Sequence, residues 1–321
     1  MSIFLGIDTS AYTSSLALVD KDQHILADER IILEVKKGNR GLRQSEALFL
    51  HIKNLPFLFE RVHTLTKNQE IQAIGVSAWP RRLDGSYMPV FMAGHSQARV
   101  LSSFWGIPLF EVSHQEVHIM AGIKNEPLLL EKPEFLAVHF SGGTSELLHV
   151  KKGKQLFQEI ELLSAGSDLH AGQLLDRVGV ALGLTFPAGK ELETLACASR
   201  IFSIPIIPSA VKDRSFSFSG AETRALTLIK EGYPPEDIAF ALLRMIANTL
   251  EKIVLKEAQR LDIKDILFVG GVMANSLIRK RLRDRLEHPA AGLNLYFAEP
   301  SLSTDNAVGA ALLASYLSTA E

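Results

Sequence analysis

The sequence predicts an α/β protein built as two lobes, and three observations carry that expectation. Strand-like segments alternate with helix-like ones through most of the chain, the pattern of mixed layers rather than of an all-α or all-β domain. A unit recurs without gaps: Leu5–Val19 overlays Leu136–Val150 with six of its fifteen positions identical. The matching residues are Leu5, Ser10, Thr13, Ser14, Leu16 and Val19 against Leu136, Ser141, Thr144, Ser145, Leu147 and Val150. Finally, 321 residues with 47% hydrophobic and 22% charged content are enough for two cores and too apolar for a disordered chain.

The elements follow in order. Ile3–Ile7 reads as a strand and Ser14–Val19 as its hairpin partner; Ser45–Val62 carries apolar residues at helical spacing, and Ile71–Ala78 is strand-like. His95–Phe104 reads as helix and Pro108–Val112 as a short strand. The stretch Lys124–Glu134 breaks both periodicities with prolines and charges, which divides the chain into an N-terminal lobe over 1–124 and a C-terminal lobe over 125–321. Phe135–Phe140 and Ser145–Val150 form a second strand pair. Helical patterns then run over His170–Leu182, Lys190–Ser199, Ala221–Glu231 and Pro235–Leu261. Strand Asp265–Val269, helix Ala274–Leu286, strand Leu293–Ala298 and helix Asn306–Leu317 close the chain. Two strand, small-hydroxyl turn, strand units, each opening one lobe, are what a duplicated actin-like fold (actin, sugar kinases, Hsp70) shows. Such a fold sets its lobes about a central nucleotide cleft, and turns of this kind leave backbone N–H groups to face phosphate oxygens.

Composition narrows the function classes. Lysine and arginine total 34 against 36 aspartate and glutamate, a net charge of −2, so nothing drives the whole chain toward nucleic acid or an anionic membrane. Binding of that kind needs a local patch, for which Lys36, Lys37, Arg40 and Arg43 are candidates, or a partner's surface. The single cysteine, Cys197, forms no internal disulfide and reads as a core residue between alanines, in keeping with a reducing cytoplasm. The N-terminus has no secretory pattern, and no apolar run is long enough to span a bilayer.

Ser113-His114-Gln115-Glu116-Val117-His118 follows a strand and carries the S-x-x-E capping pattern, so a helix starts at His114. His114 and His118 are then i, i+4 neighbours able to share a metal ion, or simply two polar histidines on a capped helix. The order H-x-E-x-H is not that of a zincin, and Glu116 is accounted for by capping. Asp305, ahead of the small-residue C-terminal helix, reads either as its N-cap or as a third ligand completing a two-His, one-Asp set. Gly270 and Gly271 in Val269–Asn275 let backbone approach a nucleotide, and Asn275 has a side chain suited to a base or ribose. Phe186–Lys190 and Ser215–Gly220 are further turns leading toward helices, and Asp168 and Asp176 bracket a helix start. Arg81-Arg82 and Arg279-Lys280-Arg281 are candidate phosphate or RNA contacts, although such charges commonly form a solvated face.

Taken in order, these motifs resemble the TsaD family of tRNA threonylcarbamoyladenosine synthase subunits, from Leu5-Gly6-Ile7-Asp8-Thr9-Ser10 to Thr304-Asp305-Asn306. The resemblance implies an actin-like fold with iron or zinc held by His114, His118 and Asp305. It further implies that threonylcarbamoyl-AMP, or another adenine nucleotide, binds at His139, Phe140, Ser141, Gly142, Gly143, Asp176, Gly189, Gly270, Gly271 and Asn275. The reaction implied is transfer of the threonylcarbamoyl group to adenosine beside the tRNA anticodon, relying on positioning and Lewis acidity rather than a protein nucleophile. It also implies work on tRNA within a multi-subunit cytoplasmic complex. The chain departs from the family pattern in places. E-T-S-C-D-E-T becomes Asp8-Thr9-Ser10-Ala11-Tyr12-Thr13-Ser14, the G-P-G loop becomes Trp79-Pro80-Arg81-Arg82-Leu83, the histidine of S-G-G-H-T is replaced at Thr144, and A-G-E becomes Ala171-Gly172-Gln173. Two alternatives stand beside the transferase: a non-catalytic paralog that heterodimerises with a related actin-fold protein, and an ATP-dependent kinase on the same fold.

Overall fold

The structure, a computed structural model, describes residues 2–10, 12–35, 42–65, 69–83, 85–153, 156–200 and 204–319. Lys36, Lys37 and Arg40 of the candidate basic patch lie outside the described residues. The chain forms two compact units, Met1–Lys124 with Thr304–Glu321, and Asn125–Ser303.

In the first unit β1 (Ser2–Asp8) and β2 (Thr13–Asp20) form the expected hairpin, pairing Leu5 with Leu18 and Asp8 with Ser15. β3 (Ile25–Ile32) extends it antiparallel, an edge strand that sequence reading did not anticipate. Its centre reads Asp28-Glu29-Arg30 and only Ala27 is buried, so it carries little apolar alternation to detect. α1 (Gln44–Leu65) leads to β4 (Glu70–Trp79), and α2 (Phe91–Trp105) leads to β5 (Leu109–Ser113), each strand joining parallel to the one before it in the order β3-β2-β1-β4-β5. Leu55, Leu58 and Val62 of α1 and Ala93 and Ala98 of α2 cover Ile3, Leu5, Ile7, Leu16, Leu18, Ile74 and Val76 of the sheet. α3 (His114–Ile123) starts directly after β5.

The second unit opens with α4 (Pro127–Glu131), then β6 (Glu134–Phe140), β7 (Ser145–Gly153) and β8 (Leu156–Gly166). α5 (Ala171–Ala181), α6 (Gly189–Cys197), the short strands β9 (Ala210–Lys212) and β10 (Ser215–Ser217), α7 (Ser219–Lys230) and α8 (Pro235–Leu261) follow. β11 (Asp265–Val269), α9 (Ser276–Leu286) and β12 (Asn294–Phe297) complete it. The strand order is β12-β11-β6-β7-β8-β10-β9. Its first five strands repeat the topology of the first unit, β6 standing for β1, β7 for β2, β8 for β3, β11 for β4 and β12 for β5. The registers repeat as well: His139 pairs with Glu146 and Leu136 with His149, which are the Asp8–Ser15 and Leu5–Leu18 pairs shifted along by one repeat. The duplication is thus shared down to the hydrogen-bond ladder.

The expected C-terminal lobe over 125–321 is corrected in one respect. α10 (Val308–Thr319) belongs to the first unit, where it packs on β1, β4 and α3. Small residues permit this. A Cβ at Gly6 would come within 2.1 Å of the Ala307 carbonyl, and one at Gly309 within 1.9 Å of the Val117 carbonyl. The close approach brings the start of α10 against α3. Among the described residues no helix is long and apolar enough to cross a membrane.

Candidate functional site

The helix start predicted at His114 is built as expected. Ser113 has extended backbone (φ −81°, ψ 155°), its side chain accepts the Glu116 N–H, and Glu116 Oε2 in turn accepts the Ser113 N–H at 2.8 Å. His114 therefore sits in the first turn and His118 one turn later on the same face. At α10, Asn306 accepts the Val308 N–H at 3.0 Å and Ser15 Oγ accepts the Ala307 N–H at 2.9 Å. Those contacts satisfy the helix start, so Asp305 is not needed as a cap. Its carboxylate turns to the histidines, accepting also from the Tyr12 backbone N–H.

Three donor atoms converge within the first unit. His118 Nε2 lies 3.1 Å from His114 Nε2 and 3.3 Å from Asp305 Oδ1, and His114 Nε2 lies 3.6 Å from the same oxygen. Ligands about 2.0–2.1 Å from a shared ion stand about 3.0 Å apart at right angles and about 3.4 Å apart at tetrahedral angles. Two sides of the triangle fall within that range and the third, His114 to Asp305, is slightly wider; two imidazoles with one carboxylate suit iron or zinc. Burial holds both histidines below their ordinary pKa, against the pull of Asp305, so they are neutral donors at physiological pH. Burial also opposes ionisation of Asp305, but the His118 hydrogen bond and the two imidazoles outweigh it and bring its pKa to about 2. Sequence reading missed a fourth group, Asp8, whose Oδ2 lies 3.7 Å from His114 Nδ1. Burial, with the Asp305 charge behind it, pushes Asp8 up to about 7, although Ser10 donates to it from both N and Oγ. The repeat held a signal for it, because Asp8 is the counterpart of His139. A second cluster, Asp20, Asp22 and His24, is the β2–β3 turn itself, with Asp20 accepting the Asp22 and His24 N–H groups at 2.9 Å.

In the second unit, the turn Ser141–Gly143 joins β6 to β7, and the N-terminus of α5 lies against it, with the Gly172 N–H donating to Ser141 O at 3.0 Å. A Cβ at Gly142 or Gly143 would stand in open space, so their backbone is approachable. Gly270 (φ 97°) closes on the end of β6, where a Cβ would meet the Phe140 carbonyl at 2.3 Å and His139 Cδ2 at 3.1 Å. His139, Phe140, Ser141, Gly142, Gly143 and Gly270 thus come together, with Gly271 next in the chain. Asp176 accepts the Ala188 N–H at 2.8 Å and so fixes the turn before Gly189; burial raises its pKa. Asn275 uses its side-chain oxygen to cap α9 at Ile278 N, 3.0 Å away.

Two expectations are corrected. Arg279 donates to the Met273 and Ala298 carbonyls and stacks over Phe297, and Arg281 donates to Asn248, so these two arginines lock α9 in place rather than presenting a phosphate site, while Lys280 pairs with Asp284 on the exposed face of the same helix. Cys197 is exposed, because α6 turns Leu192 and Ala196 inward and leaves its last residue outside.

The profile described as "TsaD: tRNA N6-adenosine threonylcarbamoyltransferase" matches residues 30–312. The chain belongs to the TsaD family. Relatives named tRNA N6-adenosine threonylcarbamoyltransferase include one from Thermotoga neapolitana, 29% identical over 95% of this chain and 90% of the relative. Another, from Thermosipho africanus, is 31% identical over 95% and 91%. A third, from Thermus thermophilus, is 30% identical over 97% and 91%. Among solved structures, HypF from T. kodakarensis superposes with a TM-score of 0.67 at 15% identity, over 99% of this chain and 48% of that one. A ROK family glucokinase from Streptomyces griseus, in complex with glucose and AMPPNP, superposes with a TM-score of 0.54 at 11% identity, over 98% and 99%. These likenesses establish the actin-like fold. TsaD is described as a transferase family, and the match covers most of this chain.

Proposed function

We propose that this chain transfers a threonylcarbamoyl group from threonylcarbamoyl-AMP to the N6 amine of adenosine beside the tRNA anticodon. His114, His118 and Asp305 would hold one divalent ion, iron or zinc. The observation that carries the reading is the convergence of those three donors, two of them neutral imidazoles, at ligand-like separations. The ion would supply Lewis acidity toward a carbonyl oxygen. The residues of the second unit supply the nucleotide contacts. The open turn at Gly142 and Gly143, beside the positive end of the α5 dipole, suits phosphate oxygens, and Gly270, with Gly271 after it, packs the adjoining turn against the end of β6. His139, Phe140, Ser141, Asp176, Gly189 and Asn275 complete the nucleotide set. The work on tRNA would take place in the cytoplasm within a complex, since a chain of net charge −2 borrows basic surface from partners. Metal analysis of the purified protein, with identification of any co-purifying nucleotide, tests this. We expect about one iron or zinc per chain and an adenine nucleotide, with the metal lost in His114→Ala; absence of both from the wild type refutes the reading.

A second reading is a non-catalytic partner of a related actin-fold protein. The outer faces of α1 and α2 favour it, because Phe49, Ile52 and Phe57 on one and Met92, Val100 and Phe104 on the other are exposed. The replacement of the family acids at Tyr12 and Thr13 points the same way. The two readings part on whether the chain alone restores the tRNA modification.

A further inference from the structure

We propose that Arg82 is a positioning residue for the metal triad, acting through Glu116. The inference rests on the reading of His114, His118 and Asp305 as a metal centre.

β4 and β5 run parallel up to a register shift, after which Trp79 pairs with Ser113, the residue that caps α3. The chain leaving Trp79 therefore passes over the first turn of that helix. The Pro80 carbonyl accepts the Gln115 N–H at 3.3 Å, which satisfies one of the helix's orphan donors. Arg82 Nη2 reaches Glu116 Oε1 at 2.8 Å. The other oxygen, Glu116 Oε2, accepts from Ser113 N at 2.8 Å and from Ser113 Oγ at 2.7 Å. Glu116 is only 3% exposed, so its negative charge depends on these partners. Arg82 is half exposed, and its guanidinium is the cation that faces that carboxylate.

The geometry gives the clamp a consequence for the site. The capping box that Glu116 closes is the turn bearing His114, and His118 follows one turn later. Their two Nε2 atoms are separated by 3.1 Å, so a small rotation of the first turn changes that separation directly. Arg82 thus ties the loop after β4 to the first turn of α3.

The test uses full-length protein and cobalt(II) as the probe, read by equilibrium binding and by its visible absorption spectrum. We expect Arg82→Ala to weaken cobalt binding about 10–100-fold, the range for partners that orient ligands, and to change the absorption bands that report ligand geometry. Arg82→Lys restores most of the affinity. In the Glu116→Gln background, Arg82→Ala adds little, because the path through the carboxylate is already broken. Binding and spectrum unchanged in a folded Arg82→Ala protein overturn the inference while leaving the metal centre standing. A wild type that binds cobalt no better than His118→Ala overturns the metal reading and this inference with it.

Discussion

Asp168 accepts four hydrogen bonds, from Leu169 N, Ser217 Oγ, Phe218 N and Ser219 N, and so latches the loop before α7 to the approach to α5. Partial burial opposes its ionisation, but those bonds outweigh it and hold its pKa well below the ordinary 3.8. A depressed carboxylate contributes stability that is complete above its ordinary pKa and disappears as pH falls through the folded value. We expect Asp168→Asn to unfold at lower temperature than the wild type at neutral pH, with the gap constant above the ordinary carboxylate pKa of 3.8 and narrowing only as pH falls below it. A gap in thermal melts that does not narrow below that pH removes the latch. The contribution is modest, because the group is solvent-accessible. At this scale the sequence was informative where chemistry is local. Ser113, Glu116 and the i, i+4 histidines could be read from spacing. Asp305 could be named but not placed, since 187 residues separate it from His118. Asp8 could be reached only through the repeat, as the counterpart of His139, and the role of Arg82 was not legible, because it acts across strands whose pairing spacing does not reveal.

α10 shows how an element made of small residues sets a site it barely belongs to. Gly309 lies so close to α3 that a Cβ would stand 1.9 Å from the Val117 carbonyl, and no side-chain rotation relieves a clash with backbone. Gly309→Ala should therefore destabilise the protein by about 1–3 kcal/mol. By pushing the helix start away from α3 it should also weaken metal binding. A thermal melt and a metal titration check both effects, and a variant equal to wild type in both refutes this account of the packing. The apolar run of α10 was legible as a helix, whereas its partner was not. Strand β3 was missed because its charged centre hides an edge strand, and β8 because its middle reads Gln158-Glu159-Ile160-Glu161 with burial only near the ends.

On the scale of the whole molecule, the repeat of Leu5–Val19 in Leu136–Val150 was the most informative feature of the sequence. It predicted two copies of one strand order, and the copies share even their hairpin registers. What the repeat could not show is that the chain's last helix returns to the first copy, which is how Asp305 reaches the histidines of α3. The two copies have also diverged in chemistry: the first carries the metal-type donors and the second the open glycine turns. The proposed function is that this TsaD-family chain works as a threonylcarbamoyl transferase. The most direct test is mass-spectrometric analysis of tRNA nucleosides from cells depleted of their own TsaD and supplied with this chain. The account predicts that the wild type restores threonylcarbamoyladenosine and that His118→Ala, expressed to the same level, does not. Restoration by both proteins, or by neither, contradicts it.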